Sequence, residues 1–115
     1  MNILDKLSTV LNRSDVVLGF MPAKPDAVIA LFEYNPPPPD HSFGTSDFSH
    51  NVQVRVRDKK AAPAYATAEA VANILNRYHD AEINVLQSTA ILDIGLDDNN
   101  PPRQEYTVNF TIRRY

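Results

Sequence analysis

Residues 51–58 read Asn-Val-Gln-Val-Arg-Val-Arg-Asp, and this strict alternation leaves the backbone little choice. In an extended chain successive side chains leave opposite faces, so Val52, Val54 and Val56 point one way and Gln53, Arg55 and Arg57 the other. A helix would scatter the same valines around its circumference. The stretch is a half-buried strand, and it leads into an alanine-rich segment of helical periodicity. A strand of six or seven residues at about 3.4 Å each is roughly as long as a helix of sixteen at about 1.5 Å each. The two can lie against one another along their whole length.

Asp58, Lys59 and Lys60 make the turn between them, and Pro63 suits the first turn of a helix that runs to about His79. Along it Ala68, Val71, Ala72, Leu75 and Tyr78 recur three and four apart, and Ile74 widens the stripe. Glu69, Asn73, Asn76 and Arg77 take the other side. The many alanines between 61 and 72 allow a close approach to a sheet or to another helix.

Before the central strand, Asn2 can cap a short helix ending by about Arg13, with Ile3, Leu4, Leu7, Val10 and Leu11 on one side. The apolar run 16–20 predicts a brief strand at a sheet edge, and Pro22 and Pro25 forbid a regular ladder after it. Residues 26–34 are almost wholly apolar and fit a helix or a buried strand. The flanking prolines limit them to strand length, which decides for strand. Residues 35–49, with Pro36, Pro37, Pro38 and Pro39, have no periodicity and predict a long loop, stiffened into a projecting arm. Phe43 and Phe48 are the arm's candidate docking residues.

After the long helix, residues 83–94 are rich in apolar side chains and place their clearest strand at 88–93. A polar turn follows at 95–103. The closing segment 104–115 alternates Tyr106, Val108, Phe110 and Ile112 against Thr107, Asn109, Thr111 and Arg113, which predicts the longest strand, hairpinned to the one before. The expected fold is α+β: a mainly antiparallel sheet of four to five strands packed by one long helix, with a short N-terminal helix and a long proline-rich loop. At 115 residues the chain is one domain, 1–115.

Eleven basic and fourteen acidic residues give a net charge of -3, which argues against a nucleic-acid binder that reads sequence. There is no cysteine, so disulfides and thiolate metal sites are excluded. No window approaches the roughly 20 apolar residues that span a bilayer, and membrane attachment is not expected. No catalytic signature is present: no nucleophile elbow and no phosphate-cradling glycine loop. His41 and His50 with Asp40 and Asp47 could bind a metal, but their spacing matches no ligand pattern, and such groups in a loop are more often solvated. Asp93, Asp97, Asp98, Asn99 and Asn100 resemble a calcium loop in composition alone; a polar turn accounts for them better. The expectation is no catalytic, cofactor or metal site. Gln53, Arg55 and Arg57, joined by Arg113 if the closing strand is a neighbour, form a basic stripe suited to an acidic protein surface. On an isolated chain it would be a solvated sheet face, and reversing both Arg55 and Arg57 would leave folding intact.

The order of these elements resembles that of the tail terminator or minor capsid proteins of long-tailed bacteriophages. The resemblance rests on Pro25-Asp26-Ala27-Val28-Ile29-Ala30-Leu31 before a proline-containing loop and on the Val52 to Asp58 strand. Beyond these it takes in an alanine-rich helix ending Ile74-Leu75-Asn76, and the closing Arg103-Gln104-Glu105-Tyr106-Thr107-Val108-Asn109-Phe110. It implies a non-enzymatic virion protein that forms a hexameric ring on the head-proximal end of the tail tube. Its partners would be further copies of itself, the tail tube protein and a head-completion or connector protein, with DNA passing through the ring. A head-completion protein, or a small metal-binding module, is the alternative.

Overall fold

In the computed structural model, which describes residues 2–34, 40–42 and 45–115 and the side chains of all of these but 40–42 and 45–48, the chain alternates helix and sheet. The order is α1 (Ile3–Leu11), β1 (Val16–Leu18), β2 (Val28–Glu33), β3 (Asp40–Ser42), β4 (Thr45–Asp58), α2 (Ala61–Leu75), β5 (Ile83–Gln87), β6 (Leu92–Leu96) and β7 (Gln104–Arg114). Six strands make a mixed main sheet. β1, β2, β4, β7 and β5 follow one another across it, and β6 shares with β5 the same edge of β7. The remaining strand, β3, pairs only with the first residues of β4.

The valine alternation places β4 at the centre. Leu31 of β2 and Val108 of β7 flank Val54 in antiparallel register. Around them Ile29, Val52, Val56, Phe110, Ile112, Ile83 and Val85 all fall on the same face and are at most 1% exposed. Both helices cover that face. α1 contributes Ile3, Leu7 and Leu11, and α2 contributes Ala64, Ala68, Val71, Ala72 and Leu75. Two of these contacts, Ala64 and Ala68, have no accessible surface, so the helix backbone itself sits close to the sheet, as the run of small residues requires. The N-cap is formed as expected: the Asp5 amide donates to Asn2 Oδ1 at 2.9 Å.

Four expectations need correction. The sheet is mixed and larger than four to five antiparallel strands, because β1 pairs parallel with β2. The long helix is not alone on its face, since α1 shares it, and α2 stops at Leu75. Asn76 is already extended and Arg77 takes a left-handed conformation, φ 67°, so Tyr78 reaches the core from a turn and Ile74 lies 41% exposed. The central strand begins at Thr45, so residues 45–49, placed in the loop by their lack of periodicity, continue the ladder, where β7 supplies partners as far as Phe48. The tetraproline lies outside the described residues.

The last correction concerns 88–93. β5 ends before it and β6 resumes within it, leaving an interruption at 88–91. There Thr89 Oγ1 accepts the Asn109 amide at 3.0 Å in place of a ladder carbonyl, and the Gln87 side chain donates to the Thr89 carbonyl. Apolar content alone could not reveal that substitution. β6 then carries a bulge between Asp93 and Gly95, where Gly95 has φ +87°, a conformation that favours glycine.

Candidate functional site

The second face of the sheet has no helix over it. Strand alternation puts there Phe32 of β2, Asn51, Gln53, Arg55 and Arg57 of β4, Glu105, Thr107, Asn109, Thr111 and Arg113 of β7, and Asn84 and Leu86 of β5. β7 neighbours β4, which was the condition for Arg113 to join the stripe, and Arg113 shares the arginines' face. It does not share their position. Arg55 pairs with Thr107, so Arg113 lies six residues further along β7, roughly 20 Å at about 3.3 Å per residue.

Arg55 and Arg57 differ in what covers them. Arg57 is 3% exposed. The segment before β2 folds over it, and its guanidinium donates to the carbonyls of Pro25 at 2.7 Å and Asp26 at 3.0 Å. Burial, the adjacent Arg103 charge opposing it as well, holds its pKa below the ordinary arginine value. Both cations bind that segment. Arg103 Nη1 donates to the Ala23 carbonyl at 2.6 Å and to Asp26 at 3.2 Å, while its Nε donates to Asp97 at 2.8 Å. Reversing Arg57 would set a carboxylate against carbonyl oxygens, so the expectation that the double reversal spares folding is withdrawn.

Arg55 is left accessible. Its guanidinium lies 5.7 Å from the Phe32 ring centroid, Nη2 donates to Gln53 Oε1 at 3.5 Å, and Nε faces Glu105 Oε1 at 3.8 Å, too far for a hydrogen bond. Arg55 Nε, Glu105 Oε1 and Asn109 Oδ1 are inaccessible atoms with no hydrogen-bond partner. All three lie on neighbouring rungs of the uncovered face. Further along, Ser49, Asn84, Leu86, Thr111 and Arg113 line an open groove of about 330 Å³.

Phe43 lies outside the described residues, as does the Phe48 side chain; the Phe48 backbone pairs with Arg114. The His41, Asp40 and Asp47 side chains are outside too. His50 is described, and its Nδ1 hydrogen-bonds the Glu33 carboxylate where β2 ends beside β4. Among the described residues no three histidine or acidic side chains converge as a metal site. The acidic turn after β6 is tied internally: Asp97 accepts from the amides of Asn99 and Arg103 as well as from the Arg103 guanidinium.

Sequence reasoning missed Arg103, which is 7% exposed and stands in a polar stretch with no periodicity to mark it. It also missed β6, whose Leu92, Ile94 and Leu96 are exposed. Their spacing of two was the available signal. No helix among the described residues is long and apolar enough to cross a membrane.

Over residues 3–115 the chain matches the family model described as bacteriophage tail terminator protein. No curated protein matches it.

Proposed function

The chain belongs to the bacteriophage tail terminator family, a family of structural tail proteins, and on that premise we propose that it forms a hexameric ring capping the head-proximal end of the tail tube. The ring stops polymerisation of the tube protein and offers the surface that a head-completion or connector protein joins. DNA passes through it without being read by sequence.

The observation that carries this reading is the state of the uncovered sheet face. Arg55 stands there with its side chain 36% exposed, beside the Phe32 ring and Gln53 and 3.8 Å from Glu105. That guanidinium is a cation which the acidic surface of a neighbouring protein can reach. Gln53 and Arg55 are the proposed centre of the contact and Arg113 its outlying part. Arg57 serves it by holding the segment before β2 in place, and Phe43 of the loop and Phe48 of β4 are further proposed contacts.

Electron microscopy of the purified protein mixed with tail tubes of the same phage tests the proposal. Rings on one end of tubes of fixed length are the expected result, and tubes that elongate unaltered would refute it. Arg55→Glu is expected to keep the fold and to weaken ring or tube contacts by on the order of tenfold or more, as like charges brought together at an interface do.

A further inference from the structure

Among the described strands β6 pairs with β7 and no other, and its apolar side chains are open to solvent: Leu92, Ile94 and Leu96 are 46%, 45% and 64% exposed. Natural edge strands of this kind are blunted by lysine, proline or a bulge. β6 has the bulge and no cation. The run 92–98, Leu-Asp-Ile-Gly-Leu-Asp-Asp, holds three carboxylates and no positive charge. Asp97 is engaged by Arg103, whereas Asp98 is exposed.

The groove of Ser49, Asn84, Leu86, Thr111 and Arg113 has the opposite character. Its residues occupy two adjacent rungs of β4, β7 and β5. It combines a cation with hydroxyl and amide groups and with Leu86, which is 52% exposed. An acidic, aliphatic strand edge is its chemical complement. β6 supplies such an edge, at the other end of β7: it pairs with residues 104–107 and the groove lies at 111–113. A separation of roughly 21 Å between their centres, at about 3.3 Å per residue, keeps the two apart in one copy.

We propose that β6 and the turn after it dock into the groove of a second copy, Asp98 facing Arg113 and Leu96, the β6 aliphatic nearest Asp98 in sequence, covering Leu86. The two patches differ, so the contact is heterologous and propagates from copy to copy until the rotation closes it. It rests on the ring reading above and supplies one of the subunit contacts that a ring needs.

The test compares the full chain with Asp98→Lys, Arg113→Glu and the double variant by size-exclusion chromatography with light scattering, thermal unfolding serving as the folding control. The wild type is expected to assemble. Each single variant should remain folded and need on the order of tenfold higher concentration to do so, and the double variant should recover, since both charges are then exchanged. Wild-type assemblies indifferent to the single changes would overturn the contact and leave the ring reading standing, as would single-variant losses that the double change fails to repair. A wild type that stays monomeric alone and on tail tubes would sink the ring reading and this contact together.

Discussion

Arg55 and Arg57 sit two residues apart on one strand face, yet one is exposed to contact and the other is consumed by the fold. The difference lies in a segment more than twenty residues away in sequence, whose Pro25 and Asp26 carbonyls reach Arg57 and stop short of Arg55. Truncating Arg57 to alanine removes two charge-assisted hydrogen bonds and loosens that segment. Chemical denaturation should show Arg57→Ala destabilised by about 2 kcal/mol, with Arg55→Ala close to wild type. Equal effects of the two changes would contradict the division of roles.

Single carboxylates also decide the response to acid. Asp80 accepts from Lys6 Nζ at 2.8 Å, from the amides of Glu82 and Ile83, and from the Tyr78 hydroxyl. With Lys6 the largest influence, its carboxyl is held well below the usual range. Arg13 does the same, more mildly, for Asp15. Asp26 and Asp97 also remain low although burial opposes them, because Arg103 donates to both. A folded-state pKa below the unfolded value stabilises above the unfolded carboxyl range, near pH 4, and that stability is lost as pH falls toward the folded value. Calorimetry should find Tm nearly level from about pH 7 to 5 and falling below about pH 4. Asp80→Asn should lower Tm at neutral pH and flatten the acid limb; an unchanged acid limb would show that Asp80 titrates alike in both states.

At the scale of elements, α2 illustrates how composition is translated into distance. Three of its five buried residues are alanine, and Ala64 and Ala68 meet the sheet with no accessible surface left. A larger side chain has no room there: Ala68→Leu is expected to destabilise by about 1–3 kcal/mol through overpacking, read from urea unfolding midpoints. A neutral result would place a void at that contact. β4 and β7 illustrate the opposite case. With fourteen and eleven residues, they pair from Phe48 to Asp58, and the alternation needed to see this was plain in both strands only where valine, phenylalanine or isoleucine occupied every second position. Residues 45–49 read Thr-Ser-Asp-Phe-Ser, with no alternation of apolar and polar residues, so the ladder left no pattern. The break at 88–91 was likewise hidden, because a threonine hydroxyl standing in for a backbone carbonyl changes no hydropathy.

For the whole molecule, the arrangement is one sheet with one covered face. The helices on the first face complete a core from Ile3 to Ile112; on the second face the buried Arg57 and Arg103 anchor a loop over one end, Ala30 and Thr107 beside Arg55 are buried as well, and Gln53, Arg55 and the groove residues are left to solvent or to partners. An elongated body of 55 × 24 × 23 Å follows from β4, whose fourteen residues span roughly 46 Å at about 3.3 Å each. Such a body offers distinct patches at separated places, which is the geometric condition for heterologous association.

The sequence by itself determined the local chemistry: the strand at 51–58 with its valine face, the N-cap and stripe of α1, the alanine helix, the alternation of β7 and the α+β class. Each is written in neighbours one to four residues apart, where period and turn propensity act. Only the tertiary structure decided which polar side chains on the central strand are free to meet a partner, because that depends on which distant carbonyls arrive above them. It also decided that β1 joins parallel to β2 and that the aliphatics of β6 are left at an edge. The alternation that opened the sequence fixes where Gln53, Arg55 and Arg57 point, and contacts remote in the chain fix what each of them finds there.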